Sequence, residues 1–240
     1  CAGFWMEGRT LDNSKFTSQP LIMKPTPKQF GITVAVNGRR FYQDWDGYMC
    51  NPGYDYMSDI RVHVGSRHGH MQWGGEWPHL PMPEKAWFIF DQPGLEAGAV
   101  PTAASTDPVG DKICYKADTL EELAKIIDVP ADELTKTVSV WNGFCDAGDD
   151  VAFYRPSEYM TRVSTAPFYA QLVAPAFLNT DGGPRRSAKG EILDPDGNPI
   201  PGLYSAGEFG SVWGNYYQGA GNIAECMIFG RISARSILTE

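Results

Sequence analysis

The stretch Gly202–Asn222 constrains this chain more than any other. Gly202-Leu203-Tyr204-Ser205-Ala206-Gly207 predicts a short buried strand that ends in glycine. A loop carrying Gly207, Gly210, Gly214, Gly219 and Gly221 follows. It leads to Asn222, a good helix N-cap with Glu225 three residues on. The last helix is predicted from about Ile223 to Leu238. Glycines let a ligand approach the backbone, and a helix N-terminus presents unpaired N–H groups and a partial positive charge. This fits a binding place for something flat and electron-rich or anionic. It fits a plain strand-to-helix crossover with flexible turns equally well, and the residues alone leave both open.

Composition removes whole classes of function. With 240 residues, 42% hydrophobic and 20% charged, the chain can bury a real core and is not disordered. That length predicts one large or two modest domains. The formal net charge of −9 argues against a nucleic-acid partner, because a phosphate-contact surface needs positive potential. No apolar run is long enough to predict a membrane span. Cys1, Cys50, Cys114, Cys145 and Cys226 are scattered, with no Cys-x-x-Cys, and read as free buried thiols. His63, His68, His70 and His79 cluster but match no common ligand spacing, so no metal is expected. The chain opens at Cys1 with no basic, then apolar, leader. It is expected to be a piece of something longer, with any targeting signal upstream, so localisation is unknown.

Elsewhere the local grammar is readable. Ile32, Val34 and Val36 alternate with polar or small residues before Asn37-Gly38, which predicts a hairpin into Arg39-Arg40-Phe41-Tyr42 with both turn residues at positive φ. From Tyr48 to Pro83 no period is sustained. Tyr48, Tyr54, Tyr56, Trp73 and Trp77 in this stretch suit an apolar wall or core. Ala86–Phe90 predicts a buried strand, and Gly94–Thr106 a loop. Thr119-Leu120-Glu121-Glu122 is a capping box, with Leu120, Leu123, Ala124 and Ile127 on one helical face. Pro130 marks a second helix start, with Leu134, Val138 and Trp141 on one face, and Asp146–Asp150 ends that unit. Asp194-Pro195-Asp196-Gly197 predicts a second hairpin between Ile192-Leu193 and Ile200.

Several segments together resemble one flavoprotein superfamily. Pro201–Glu208, Tyr217–Asn222 and Phe229-Gly230-Arg231 resemble the C-terminal signature shared by fumarate reductases, urocanate-type reductases and 3-ketosteroid dehydrogenases. Thr180-Asp181-Gly182-Gly183 fits its Thr-x-Gly-Gly segment, and Asn37–Phe41 its Gly-x-Arg-Phe hairpin. Asp118–Ala124 through Asn142 is similar to its helix pair, and all of these occur in family order. The resemblance implies an α+β chain: a capping, substrate-binding domain plus the C-terminal strand–loop–helix portion of a Rossmann-like FAD domain. Residues 1–10 would end one FAD-domain segment, 11–165 form the capping domain, and 166–240 return to the FAD domain. The Gly-x-Gly-x-x-Gly fingerprint of the family is not found here. The expected partner is therefore an N-terminal FAD-binding segment of the same protein, and this piece alone is expected to be inactive and to hold FAD weakly.

The resemblance also implies roles. Glu208 and Asn179 would contact FAD, with Asn222 and the backbone N–H groups of Ile223 and Ala224 at the flavin's pyrimidine edge. Tyr217-Gln218-Gly219-Ala220-Gly221 is similar to the Tyr-x-Gly-x-Gly run of the 3-ketosteroid dehydrogenases, so Tyr217 and Gly221 would grip a substrate carbonyl. Arg67 and Arg61 lie where relatives place a proton-donating Arg, and Tyr216, Gln218 and Asp44 fall on the substrate side. Gln218 and Leu178 replace the Arg and His of dicarboxylate reductases. A neutral amide and an aliphatic chain do not offset carboxylate desolvation, which argues against fumarate. The implied activity is hydride exchange between FAD and an activated C=C bond in a small enone- or ketosteroid-like substrate, from an unknown electron donor. The other reading is a noncatalytic binding or assembly module with a degenerate flavin site.

Overall fold

The structure, a computed structural model, describes residues 4–14, 16–20, 30–41, 83–100, 105–153, 155, 157–177, 182–210, 212 and 221–239. They fall into two compact units. The smaller takes Phe4 and the described residues from Phe177 onward; the larger takes the described residues from Trp5 to Ala176.

A six-stranded sheet organises the larger unit. Its strands are β1 (Phe4–Arg9), β2 (Phe16–Pro20), β3 (Ile32–Ala35), β4 (Ala86–Asp91), β5 (Cys114–Ala117) and β6 (Phe168–Phe177). The order is β2-β1-β6-β4-β3, with β5 also paired to β6. β4 runs antiparallel to both neighbours, with Ile89 opposite Ile32 on one side and Ala170 on the other. Every residue of β4 is buried, because both sheet faces are covered. Trp87 and Ile89 face a core shared with Ile32, Val34, Leu172, Leu123, Leu134, Val138 and Trp141. Ala86, Phe88 and Phe90 face the other way, toward Val100, Ile113 and Tyr169. The alternation follows from the two-residue strand period. Phe90 and Tyr169 stack with centroids 5.4 Å apart.

The helices over the first face form where the capping grammar predicts. In α2 (Leu120–Ile126) the Thr119 side chain accepts the Glu122 N–H. The following α3 (Ala131–Ala147) starts after Pro130 and ends at Gly148, which takes the left-handed φ of 67° that suits glycine. Leu134, Val138 and Trp141 are the buried stripe of α3. Truncating Leu134 to Ala would cost about 2–5 kcal/mol in such a packed setting.

Three expectations about the larger unit need correction. The Asn37-Gly38 turn exists, but only Gly38 has positive φ. Gly38 N donates to Ala35 O and Ala35 N to Arg39 O, which makes a three-residue loop with glycine in the left-handed position. No strand follows at Arg39–Phe41; β3 finds its partner in β4 instead, where a fully buried ladder is available. The stretch predicted as a loop from Gly94 begins inside a short helix, α1 (Gln92–Glu96), because buried Asp91 caps it by accepting the Gly94 N–H. The same carboxylate accepts from Ser164 N and Thr165 N at the entrance to β6. Tyr42 and the aromatic stretch 48–82 lie outside the described residues.

The smaller unit is built on β7 (Glu191–Leu193), β8 (Pro199–Tyr204) and α4 (Gly221–Ile237). β7 and β8 form the predicted antiparallel hairpin, closed by Gly197 N to Asp194 O and Asp194 N to Asn198 O. β8 is not the buried strand predicted: Pro199–Leu203 are exposed, and the strand stops at Tyr204, before Gly207. α4 lies beside the 189–205 segment through small side chains, with Ser236 Oγ donating to Lys189 O. Among the described residues no helix is long and apolar enough to cross a membrane.

Candidate active site

The loop of interest begins where the chain leaves β8. Ser205 N donates to Gly190 O, Phe209 bridges Gly182 in parallel, and Gly210 N donates to Gly182 O at 2.9 Å. Two glycines in this run are required. Gly207 has φ 76° and a Cβ there would sit 2.6 Å from Cys226 Sγ; at Gly210, φ 89°, it would sit 2.8 Å from Pro184 O. The backbones of 183–184 and 210 thus meet at distances no larger side chain permits, and Gly207 leaves room for the Cys226 side chain of α4.

A buried ion pair ties these pieces together. Arg186 Nη2 donates to Glu225 Oε1 at 2.8 Å, with the two side chains 2% and 4% exposed. Arg186 Nη1 donates to Gly207 O at 3.1 Å, and Val212 N donates to the same Glu225 Oε1 at 2.7 Å. The guanidinium lies 3.7 Å from the Phe229 ring centroid, a cation–π contact. Arg186 Nε and Glu225 Oε2 are buried and have no hydrogen-bond partner among the described residues. This corrects the reading of Glu225 as half of a capping box. α4 starts at Gly221, so Asn222 lies in its first turn, and the Glu225 carboxylate is engaged by Arg186 and Val212.

The described candidates converge on this unit. Glu208 follows Gly207 in the clamped loop and is half-buried. Gly221, Asn222, Ile223 and Ala224 are the first four residues of α4, whose N–H groups have no intrahelical acceptor. Ile223 is 65% exposed, so that turn stays open. Tyr217, Tyr216, Gln218, Asn179, Arg61, Arg67 and Asp44 lie outside the described residues. Arg186 was not singled out from sequence. Its signal was available: Arg185-Arg186 follows directly on Gly182-Gly183-Pro184. Of the thiols, Cys114 is buried as expected, while Cys145 is half-buried and Cys226 exposed.

The larger unit carries a hollow of about 310 Å³ lined in part by Arg39, Arg40, Glu133, Lys136, Trp141 and Phe153. Its arginines are already matched: Arg39 Nε donates to Glu133 at 2.6 Å, and Arg40 pairs with Asp150 at 2.8 Å.

The model of the FAD binding domain family matches residues 9–223. The chain belongs to this FAD-binding flavoprotein family. Its cofactor is FAD, and the first turn of α4, whose N–H groups lack intrahelical acceptors, beside a glycine loop that carries Glu208, fits that group. This flavoprotein chain is 34% identical over 232 residues to a 3-oxosteroid 1-dehydrogenase of Mycolicibacterium smegmatis, covering 86% of the chain and 38% of that protein. It is 36% identical over 149 residues to a probable fumarate reductase of Shewanella frigidimarina, covering 62% of the chain and 24% of that protein. The chain thus spans about two fifths of the length of the curated steroid dehydrogenases it matches. Its fold is similar to that of 3-ketosteroid delta1-dehydrogenase from Sterolibacterium denitrificans, with a TM-score of 0.69 and 23% identity over 99% of this chain and 43% of that one.

Proposed function

We propose that the protein carrying this chain is a FAD-dependent oxidoreductase that exchanges hydride with a C=C bond conjugated to a carbonyl. Reduction of an enone-like substrate is the first direction and dehydrogenation of a ketosteroid-like substrate the second. The observation that carries this reading is the likeness, over 232 residues, to a protein named 3-oxosteroid 1-dehydrogenase. The run Tyr217-Gln218-Gly219-Ala220-Gly221 supports it. In this reading 11–165 is the capping domain, 166–240 belongs to the FAD domain, and fumarate is not the substrate, since Gln218 and Leu178 offer no charge to a second carboxylate.

Each residue then has a task. Glu208 and Asn179 hold FAD by hydrogen bonds, while Asn222 and the N–H groups of Ile223 and Ala224 receive its electron-rich edge at the positive end of α4. Bound FAD supplies the two-electron redox chemistry that no side chain here can. Tyr217 O–H and Gly221 N–H donate to the substrate carbonyl oxygen, where negative charge grows as the β-carbon gains hydride; two such donors are worth a few kcal/mol in the transition state. Arg67 or Arg61 gives a proton to the α-carbon. Tyr216, Gln218 and Asp44 shape the substrate side.

The test is Tyr217→Phe in the full-length flavoprotein, assayed for enone reduction and ketosteroid dehydrogenation. The ring stays and one donor goes. Turnover is expected to fall by about 10²–10³, as when one oxyanion-hole donor is lost, with FAD still bound. Undiminished turnover by this variant overturns the assignment.

A further inference from the structure

The ion pair Arg186–Glu225 sits beside the cofactor-binding candidates without belonging to them. From the geometry we infer that Arg186 and Glu225 are positioning residues for FAD. Together they hold the backbone from Gly207 to Val212 against α4, so that Glu208 and the first-turn N–H groups of α4 meet the cofactor as one preset surface. This inference rests on the FAD site proposed above.

Three observations carry it. Arg186 reaches two elements at once: Nη1 takes the Gly207 carbonyl, one residue before Glu208, and Nη2 takes Glu225, one residue after Ala224. Glu225 Oε1 closes the far end of the loop by accepting Val212 N, so both ends of the six-residue run are fixed to the same charge pair. Phe229, one turn further along α4, holds the guanidinium plane at 3.7 Å, which leaves it little freedom to swing to water.

A buried pair of this kind is a poor source of stability, since desolvation of both ions offsets most of their attraction. Replacing both partners by apolar side chains of similar volume is often neutral for folding. Such a replacement frees the Gly207 carbonyl and the Val212 N–H, and the loop must then be ordered when the cofactor binds. A site populated only part of the time binds with an affinity reduced by that fraction. Stability and cofactor affinity therefore separate, and that separation identifies a positioning role.

The experiment uses the full-length protein. FAD affinity is read by flavin fluorescence, the bound flavin's reduction potential by dye equilibration, and the apoprotein's thermal midpoint alongside. Arg186→Met/Glu225→Leu is expected to melt near the wild type, to bind FAD about 10–100-fold more weakly and to shift the potential. If the double variant does not fold, Arg186→Lys serves, because a point-charge ammonium cannot span both acceptors as the planar fork does. FAD affinity and potential equal to wild type in the folded double variant, or in Arg186→Lys, overturn the inference while leaving the FAD site standing. A wild-type protein that takes up no FAD overturns both readings.

Discussion

The two units each bury an arginine–carboxylate pair against aromatic rings, and the two pairs are finished differently. In the larger unit Arg40 donates to both oxygens of Asp150, which also accepts from the backbone N–H groups of Ala152, Phe153 and Arg155. Trp141 and Phe153 lie 4.8 and 4.9 Å from the guanidinium. In the smaller unit Glu225 uses one oxygen for both of its donors, and its other oxygen is buried with no hydrogen-bond partner among the described residues. A carboxylate engaged at both oxygens closes a chain reversal around Asp150. A pair with capacity to spare joins three segments at the place where the cofactor candidates gather.

Removing the carboxylates is the hardest test of that contrast. Asp150→Ala strands the buried Arg40 charge and three backbone donors, so it should cost toward the upper end of about 3–5 kcal/mol in denaturant unfolding. Glu225→Ala strands one backbone donor and should fall at the lower end. Equal losses, or the reverse order, break the comparison.

The two hairpin loops sharpen it at smaller scale. Both put a glycine in the left-handed region, Gly38 at φ 77° and Gly197 at φ 89°. A Cβ at Gly197 meets open space, so Gly197→Ala pays backbone strain alone, about 1–2 kcal/mol. At Gly38 it would lie 3.0 Å from Leu134 N and 3.1 Å from Glu133 Cβ, so Gly38→Ala should cost about 2–4 kcal/mol in the same measurement. Indistinguishable midpoints would show that the first loop is as free as the second.

Thiol reactivity gives the smallest perturbation. Burial pushes the Cys114 thiol up to about 12 and the Cys145 thiol up to about 11. At pH 8 their thiolate fractions are about 10⁻⁴ and 10⁻³, which leaves them slow toward iodoacetamide. Cys226 is exposed on α4 and should be alkylated first of these three, as read by peptide mass. Modification of Cys114 at a matching rate contradicts the packing of the larger unit.

What was legible in the sequence was local. The Thr119 cap, the Pro130 start, the α3 stripe and the Asp194–Gly197 turn depend on neighbours a few residues away, and they stand as read. The strand partner of β3 was not legible, because β4 arrives from a distant part of the chain and wins on burial. β8 misled because Leu203 and Tyr204 look apolar in any setting; whether they are covered depends on what packs there, and Leu203 is 44% exposed. Glu225 misled for a related reason. A helix-start pattern is visible in four residues, whereas Arg186, which takes its carboxylate, is 39 positions away. In the candidate site, a helix beginning near Asn222 was readable from the sequence pattern. The clamp that holds it was not.

Ala35 and Ala86 are register partners in the ladder of β3 and β4, so everything from Val36 to Lys85 departs from and returns to one spot on the sheet. Closing a longer excursion costs only about 0.6 kcal/mol for each doubling of its length. The excursion holds Asp44, Arg61 and Arg67, all assigned above to the substrate side. A change of chain length between Phe41 and Pro83 therefore puts little entropic load on the closure of the ladder itself. Descendants of one scaffold can in this way come to prefer different molecules without relearning how to fold.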